Sequence, residues 1–277
     1  MKTTIGVCAV LRNESANLPR FFGVMEQLEA SAHVVYSFYE NDSADSSSLC
    51  LLNWLQGRDY SFLSETLGLP HWRNQERQRT QLLATARNAA LRRVLQRATG
   101  YLLIIDLDLI FSVDDCLALL QALLACPSAV MACASSVQPL EAIDTGDAWS
   151  YYDSWALIDR FGRQGLSGLA VPFLDIDDRC IWQQGGAVDV YSAFGGMAIV
   201  YTEVIRKYAV AWEGSRGCEH WAFCEKVRQA GSIIAVPSVQ PRVVTESRDL
   251  ALRPQYVEGL RDLLREHGIS VVGDAAS

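Results

Sequence analysis

The chain of 277 residues is half hydrophobic and one-fifth charged, which is typical of a soluble globular protein with a large buried core. Its formal net charge of -8 argues against a nucleic-acid groove or an anionic membrane surface as the main partner, because both attract clustered lysine and arginine. No apolar run is long enough to cross a bilayer, and the short apolar run near the start lacks a signal-peptide cleavage site. We therefore expect a cytoplasmic protein without a transmembrane segment; peripheral attachment to a membrane through a partner stays open.

Eight cysteines are scattered along the chain and form no Cys-x-x-Cys pair of the kind that binds zinc. Several lie inside apolar runs, as Cys8 and Cys133 do, where a free thiol behaves as a small hydrophobic group. We predict that the cysteines are reduced core residues.

In chain order, apolar β-branched runs alternate with segments of helical spacing, a pattern that predicts a mostly parallel sheet with helices on its faces. Strands are predicted at residues 4–11, 34–39, 101–106 and 129–133, with two helices, 46–55 and 79–96, between the second and third strands. After about residue 135 the alternation weakens; it resumes with strands 198–201 and 233–236 and helices 219–229 and 255–266. The first of these units predicts a nucleotide-binding half, in which ligands bind beyond the carboxyl ends of the strands.

The predicted strand at residues 101–106 leads into a pair of aspartates, Asp106 and Asp108, whose side chains project to the same side of an extended backbone. Such carboxylates repel each other unless a cation is near, and Mn²⁺ or Mg²⁺ accepts oxygen ligands together with substrate phosphates. The next helix does not need the pair as a cap, because Ser112 and Asp115 already form a capping-box signature. We therefore predict that this pair holds a metal ion or a phosphate.

A different enzyme class also places an Asp-x-Asp pair at a strand end, namely the phosphatases whose first aspartate accepts the phosphoryl group. In those enzymes the pair stands near the N-terminus and a small polar step follows it. Here Leu109 follows the pair, and a complete strand–helix unit precedes it. The motif alone leaves this alternative open.

Six segments together resemble the GT-A glycosyltransferases, and more closely the family of fungal capsule-associated α-1,3-mannosyltransferases and its bacterial relatives. They are YENDS (39–43), ARN (86–88), LIIDLD (103–108), YDSWALID (152–159), FGGMAI (194–199) and CEHWAFC (218–224). They run in family order from the first strand to about residue 236. The resemblance implies a Rossmann-like α/β GT-A fold, with a mostly parallel central sheet and helices on both faces.

The resemblance also implies an activity. A hexosyl group would pass from a nucleoside-diphosphate sugar to a hydroxyl of a saccharide or other acceptor, assisted by Mn²⁺ or Mg²⁺, with GDP-mannose as donor and retention of configuration. Residues 1–245 would form a single GT-A domain with a nucleotide-sugar-binding half, 1–135, and an acceptor-side half, 136–245. Residues 246–277 would form a helical C-terminal extension. A non-catalytic module that binds a saccharide or nucleotide on a GT-A shell is the competing interpretation.

By the resemblance, the base and ribose of the donor would lie against the loop after the second strand. Glu40, Asn41 and Asp42 would contact them, together with Arg12 at the end of the first strand. Carboxylates and amides at a strand end suit ribose hydroxyls and base edges. The same residues equally suit an Asx turn that caps the next helix.

Arg87 lies on a helix rich in alanine and leucine, where an unpaired guanidinium is costly unless it finds an anion. The donor diphosphate is such an anion, and the resemblance assigns it to Arg87 with Asn88. Three other arginines of this helix, Arg79, Arg92 and Arg93, are interpreted as exposed or salt-bridged.

Two carboxylates are the catalytic candidates. Glu219 opens a helix where GT-A enzymes carry a carboxylate facing the acceptor or donor sugar, although a first-turn glutamate also suits the helix dipole. Asp153 lies among aromatic residues, a combination that binds sugars or forms an aromatic core. Gly195 and Gly196 would let the backbone approach the donor sugar, or permit a tight bend.

The metal shell is incomplete in the sequence. Many GT-A enzymes supply a histidine late in the chain, but after Val236 only His267 remains, inside a helix predicted to be exposed. The third protein ligand therefore has no candidate, and the acceptor and the oligomeric state are equally unassigned.

Overall fold

The computed structural model describes residues 2–70, 77–97, 100–244 and 252–273. The described strands are β1 (Thr4–Leu11), β2 (His33–Asn41), β3 (Asp59–Glu65), β4 (Tyr101–Ile105), β5 (Leu109–Ile110), β6 (Ala129–Ala134), β7 (Val137–Gln138), β8 (Ser150–Tyr151), β9 (Ile158–Asp159), β10 (Val188–Ser192), β11 (Met197–Tyr201), β12 (Ser232–Val236) and β13 (Arg242–Val243). The described helices are α1 (Leu18–Ser31), α2 (Ser47–Leu55), α3 (Arg77–Leu95), α4 (Val113–Ala125), α5 (Ile176–Gln183), α6 (Thr202–Lys207), α7 (Glu219–Val227) and α8 (Pro254–Glu266).

Nine strands form the central sheet in the order β3-β2-β1-β4-β11-β6-β12-β10-β9. β1, β2, β3 and β4 are parallel to one another, and β6 is parallel to β12. β11 and β10 run antiparallel to both of their neighbours. Because β1, β2 and β4 point the same way, their carboxyl ends meet at one edge of the sheet, where open α/β folds bind ligands.

Helices cover both faces of this sheet, as predicted. Alternate strand residues face opposite sides: Val7 and Ala9 join a core under α1, α2 and α4, whereas Cys8 joins a core under α3, α5, α6 and α7. α3 lies close to the strands because its inner face carries alanines, among them Ala86 and Ala90. The predicted α/β fold class, a GT-A-like sheet between two helical layers, is confirmed.

A second sheet of four short strands, β5-β13-β7-β8, lies beside the central one. This sheet fixes the segment that follows the aspartate pair. Val243 pairs with Leu109, and the Val244 amide donates to the Asp108 carbonyl at 2.8 Å. The predicted capping box is confirmed: Ser112 accepts from the Asp115 amide, and the Asp115 carboxylate accepts from the Ser112 amide. The aspartate pair is therefore not used to cap α4.

The predicted strands and helices all occur, with ends shifted by at most two residues. One shift matters: β4 ends at Ile105, so Asp106 follows the strand and Asp108 lies in a turn, not in the extended backbone that we expected. α1 and the edge strand β3 were not predicted. β3 has partly exposed residues throughout, so it carries no apolar run for the pattern to detect.

The last described helix, α8, forms a small core of its own with loop residues Ile143 and Leu169. Part of the predicted extension, residues 246–251 and 274–277, lies outside the described residues. None of the described helices has the length and apolar character needed to cross a membrane. All eight cysteines are unpaired and five are buried, including Cys8 and Cys133, whereas Cys180 is exposed.

Candidate active site

Two adjoining cavities open at the carboxyl ends of the parallel strands. The first cavity is lined by Val10, Leu11, Arg12, Glu14, Asn41, Pro70, Arg79, Leu82, Leu83, Ala86, Arg87, Asp106, Leu107, Asp108 and Tyr152. The second cavity is lined by Arg79, Leu83, Arg87, Asp106, Gln138, Tyr152, Asp153, Ser154, Trp155, Phe194, Cys218, Glu219 and His220. Five residues line both and form a shared wall: Arg79, Leu83, Arg87, Asp106 and Tyr152. The two cavities are therefore halves of one cleft.

A buried arginine links the carboxylates of the two cavities. Arg87 Nη2 donates to Asp106 Oδ1 at 2.9 Å, and Arg87 Nε lies 3.5 Å from Glu219 Oε1. The guanidinium also lies over the Phe194 ring, 5.0 Å from its centre. Burial lowers the pKa of Arg87, but Asp106 and Glu219 raise it by more, so the arginine stays charged. Two of its nitrogens, Nε and Nη1, are buried without a hydrogen-bond partner, and such donors favour an anion.

Three carboxyl groups, those of Glu14, Asp106 and Asp108, line the first cavity. The pKa of Asp108 is raised to about 7, chiefly by burial and in smaller part by the neighbouring carboxylates of Asp106 and Glu14. Burial also raises the pKa of Glu14, which receives a hydrogen bond from the Asn17 amide at 2.7 Å. Carboxylates that disfavour one another's ionisation in this way create a demand for a cation.

The residues fit a hard divalent cation that takes most of its ligands from elsewhere. Asp106 and Asp108 line the same cavity, where their carboxylates would supply oxygen ligands to the cation. Among the residues that the structure describes, no three His, Cys, Asp or Glu side chains are grouped closely enough to enclose a metal ion. His267 lies at the exposed end of α8, where its Nδ1 is 2.9 Å from the Leu263 carbonyl oxygen, and it is not among the residues that line either cavity. Mg²⁺ commonly binds in such an arrangement, with one or two carboxylates, water and substrate phosphates.

Asp153 lines the second cavity, and a turn at Gly195 and Gly196 holds its carboxylate. Its Oδ2 accepts from the Gly195 amide at 3.0 Å, while the Asp106 amide donates to the Gly196 carbonyl at 2.8 Å. Both glycines have a positive φ, and a Cβ on Gly195 would collide with the Ala134 carbonyl. The turn therefore aligns the two carboxylate segments through its backbone. Neither glycine is among the residues that line the two cavities, so the tight-bend interpretation describes them better than close approach to a sugar.

The Asp153 carboxyl is held in a setting that favours its protonated form. Burial, together with smaller contributions from Asp106 and Glu219, raises its pKa to about 7 against the effect of hydrogen bonds from the Gly195 and Ala156 amides. Asp153, Asp106 and Glu219 all line the second cavity. One of them carrying a proton near neutral pH relieves their mutual repulsion.

Two of the predicted donor contacts, Glu40 and Asp42, are occupied by the chain itself. Glu40 accepts from the Ser43 amide at 2.8 Å and from the hydroxyls of Ser48 and Ser64; burial opposes its ionisation, but these hydrogen bonds lower its pKa. Asp42 accepts from the Asn41 amide and from three backbone amides at residues 67–69, which lower its pKa to about 2. Neither residue lines a cavity. These hydrogen bonds shape the loops around the site, and the expected contact with the donor stays a prediction for both residues.

Arg12 and Asn41 remain on the first cavity, as expected of donor contacts. Arg12 donates from Nη2 to the Leu69 carbonyl at 2.8 Å and from Nη1 to the Pro70 carbonyl at 3.3 Å. Its Nε is buried without a hydrogen-bond partner. Asn41 ends β2 and donates to Asp42 Oδ2 at 3.0 Å.

Asn88 faces away from the cleft and anchors a distant loop. Its side-chain amide donates to the Trp212 carbonyl and accepts from the Trp212 amide, both at 2.9 Å. The Trp212 indole in turn donates to His220 Nδ1 at 3.3 Å, and the His220 ring stacks on Phe194. Burial holds the pKa of His220 well below its usual value, as does Arg87, so the ring is neutral. With Nδ1 accepting, its proton lies on Nε2, which is 3.5 Å from Glu219 Oε1. A chain of buried contacts thus links Asn88 to Glu219 through Trp212 and His220.

Sequence reasoning did not name several polar residues of the cleft as site candidates, among them Glu14, Tyr152 and Arg79. Glu14 lies two residues after Arg12 in the loop that follows β1 and lines the first cavity. The rule that ligands bind at the carboxyl ends of strands could have identified it. Tyr152 stands at the start of the YDSWALID segment and lines both cavities. Arg79 precedes Leu83 and Arg87 at intervals of four residues, a helical spacing that places all three on one face.

Comparisons with known proteins place the chain in a family and identify its fold. The model of one family, cryptococcal mannosyltransferase 1, matches residues 6–229. No significant match was found among curated proteins. Among solved structures, the chain is similar to the mannosyltransferase PcManGT of Pyrobaculum calidifontis, solved with GDP-Man and Mn²⁺: identity is 13%, the TM-score is 0.52, and 96% of this chain covers 62% of that one.

Two other likenesses are weaker. TarS of S. aureus, solved with UDP-GlcNAc, has 11% identity and a TM-score of 0.49, with 98% of this chain and 68% of that chain covered. Glucosyl-3-phosphoglycerate synthase of Mycobacterium tuberculosis, solved with phosphoglyceric acid, has 16% identity and a TM-score of 0.48, with 98% and 82% covered. The family match spans most of the chain, and the expected resemblance is confirmed. The chain belongs to the family of cryptococcal mannosyltransferase 1, a family of glycosyltransferases, and has the GT-A fold.

Proposed function

We propose that the protein transfers a hexosyl group from a nucleoside-diphosphate sugar to an acceptor hydroxyl, assisted by Mn²⁺ or Mg²⁺. The observation that carries this proposal is the shared wall. Asp106 and Arg87 line both cavities at the point where the bond between sugar and diphosphate must lie if the donor fills the first cavity and the acceptor the second. Family membership favours a mannosyl group from GDP-mannose, which is also the ligand named for PcManGT.

In the first cavity, Arg12 and Asn41 would contact the nucleotide at the ends of β1 and β2. Asp106 and Asp108 would hold the divalent cation, which when bound neutralises the diphosphate and stabilises it as a leaving group. The buried nitrogens of Arg87 would donate to phosphate oxygens. With this division the nucleotide would lie in the half expected from the sequence to bind it, residues 1–135.

In the second cavity, Glu219 and Asp153 would act on the acceptor. Glu219 is held by Arg87 and His220, and a fixed carboxylate can orient an acceptor hydroxyl or take its proton. Asp153 would bind a sugar hydroxyl beside the Trp155 ring. The residues of this cavity come mainly from the proposed acceptor-side half, 136–245, and the acceptor itself is proposed as a saccharide.

The test is a thermal-shift screen of GDP, UDP, GDP-mannose and UDP-glucose, each with and without Mn²⁺, followed by chromatography for released nucleoside diphosphate. A ligand that binds only the folded state raises its thermal midpoint. We expect one nucleoside diphosphate and its nucleotide sugar, either GDP with GDP-mannose or UDP with UDP-glucose, to raise the thermal midpoint in the presence of Mn²⁺. We expect that nucleotide sugar to be turned over. The variant Asp108→Asn should lose turnover while its own midpoint stays close to that of the wild type. Binding without turnover would identify a non-catalytic module, and undiminished turnover in Asp108→Asn would overturn the metal role.

A further inference from the structure

Arg79 lies in the first turn of α3 and faces both halves of the cleft. It lines the first and the second cavity, as Leu83 and Arg87 do on the next two turns of the same helix face. Its side chain is also close enough to the Tyr152 phenol to lower the pKa of that group, against the larger raising effect of burial and of three nearby carboxylates. Arg79 is therefore part of the cleft wall, not the exposed or salt-bridged arginine that the sequence suggested.

The charge of Arg79 is not neutralised by the described protein. Across residues 2–70, 77–97, 100–244 and 252–273, its side chain forms no ion pair and no hydrogen bond. Arg87, two turns further along, is paired with both Asp106 and Glu219. An unpaired guanidinium on a half-buried cavity wall favours an anionic ligand.

The position of Arg79 on its helix strengthens this point. The N-terminal end of a helix carries partial positive charge, so a cation in the first turn is unfavourable without an anion nearby. Arg92 and Arg93 differ, because they lie in the last turn, where the dipole favours cations. Arg92 is exposed, and Arg93 donates to the Ala89 carbonyl on its own helix at 3.1 Å. Of these three arginines, Arg79 alone faces the cleft.

We propose that Arg79 binds the sugar-bearing phosphate of the donor and stabilises the charge that develops there during transfer, an inference that rests on the proposed function. In the reaction, the acceptor oxygen forms a bond to the anomeric carbon while the bond from that carbon to the phosphate oxygen breaks. The electron pair of the broken bond goes to the phosphate oxygen, and the acceptor hydroxyl gives its proton to a carboxylate of the second cavity. The leaving diphosphate thus gains one negative charge at the shared wall, where Arg79 supplies an uncompensated positive charge.

The two arginines of the shared wall then have different tasks. Arg87 is held by two carboxylates and is rigid, so it positions the phosphate and couples the two cavities. Arg79 keeps its full charge for the ligand, so its contribution grows as negative charge accumulates on the leaving group. Turnover should depend on Arg79 more strongly than donor binding does.

The experiment compares Arg79→Gln, Arg79→Lys and the control Arg92→Gln, which removes the same charge from the exposed side of the same helix. Calorimetry measures the Kd of GDP, UDP and inorganic pyrophosphate with Mn²⁺, and chromatography measures turnover of the matching nucleotide sugar. We expect Arg79→Gln to lower turnover about 100-fold and to weaken binding of the nucleoside diphosphate and of pyrophosphate about tenfold. Arg79→Lys should recover part of both, Arg92→Gln should match the wild type, and all thermal midpoints should stay close together.

The outcomes separate this inference from the function on which it rests. If the wild type binds neither GDP nor UDP with Mn²⁺, the proposed function and the role of Arg79 both fail. If the wild type binds and turns over a nucleotide sugar but Arg79→Gln behaves as Arg92→Gln does, only the role of Arg79 fails. A variant with normal diphosphate affinity and donor hydrolysis but a raised KM for the acceptor would also overturn it, because Arg79 would then bind the acceptor.

Discussion

The two cavities of the cleft are built in different ways. The first cavity is formed by residues that directly follow three parallel strands: Arg12 after β1, Asn41 at the end of β2 and Asp106 after β4. The second cavity is assembled from distant segments that are held together by buried polar contacts, such as those of Asn88 and Glu219. The strand ends bring the backbone of the first set together, whereas the second set depends on contacts between distant segments. We therefore expect substitutions of neighbouring residues to disturb the first cavity less than the second.

The largest effect on activity is expected from the first cavity. Asp106→Asn removes a carboxylate oxygen from the proposed metal site and weakens the pair with Arg87. We expect donor turnover at saturating Mn²⁺ to fall by at least about 100-fold. Asp115→Asn is the control, since Asp115 only caps α4; it should cost about 1 kcal/mol of stability and leave turnover unchanged. Wild-type turnover in Asp106→Asn would contradict the proposed role of the first cavity.

The largest effect on stability is expected where the two cavities join. Arg87→Met removes the positive charge that pairs with the buried carboxylate of Glu219 and with the carboxylate of Asp106. Removing one partner of a buried ion pair costs about 3–5 kcal/mol, so the urea midpoint should fall clearly. Arg92→Met, on the exposed side of the same helix, should leave it unchanged. A loss below about 1 kcal/mol in Arg87→Met would show that the pair is no stronger than a surface salt bridge.

The second cavity should be sensitive to a residue that lines neither cavity. Asn88→Ala leaves the backbone amide and carbonyl of Trp212 without their partner and loosens the support of His220. We expect a loss of about 1–3 kcal/mol in urea unfolding, with a smaller loss of turnover than in Asp106→Asn. Gln81→Ala, an exposed change on the same helix, should stay within about 0.5 kcal/mol. If Asn88→Ala instead weakens nucleotide binding at unchanged stability, the original prediction of a ligand contact is correct.

The smallest effect on activity, and one seen mainly in stability, is expected from the pH dependence that Asp153 confers. Its pKa rises from 3.8 to about 7 on folding, so between these values the folded state holds a proton that the unfolded state has released. Its contribution to stability therefore falls as pH rises from about 4 to about 7 and is constant above that. The thermal midpoint of Asp153→Asn, relative to the wild type, should rise over this range by a few degrees and then level off. A difference that does not change with pH would show that Asp153 is ionised throughout this range.

The sequence predicted the sheet well because its buried strands are continuous apolar runs, as in β1 and β4. It also placed Asp106, Asp108, Arg12, Asn41, Arg87, Asp153 and Glu219 in the candidate site, and the structure brings these residues to one cleft. It could not show that the carboxylates of Glu40 and Asp42 accept hydrogen bonds from serine hydroxyls and loop amides of the chain itself. It could not separate Arg79 from Arg92 either, because pairing partners distant in sequence determine which arginine remains uncompensated. Local spacing predicts which face a residue occupies, but not which of its hydrogen bonds the rest of the chain satisfies.

The central claim is that Asp106 and Asp108 hold a divalent cation through which the first cavity binds a nucleoside diphosphate. Calorimetry on the wild type and on Asp108→Asn, with GDP and UDP in the presence and absence of Mn²⁺, tests it most directly. We expect Mn²⁺ to tighten binding of one nucleotide at least about tenfold in the wild type and to have no such effect in Asp108→Asn. Equal affinity with and without Mn²⁺ in the wild type, or a full metal effect in Asp108→Asn, would contradict the claim.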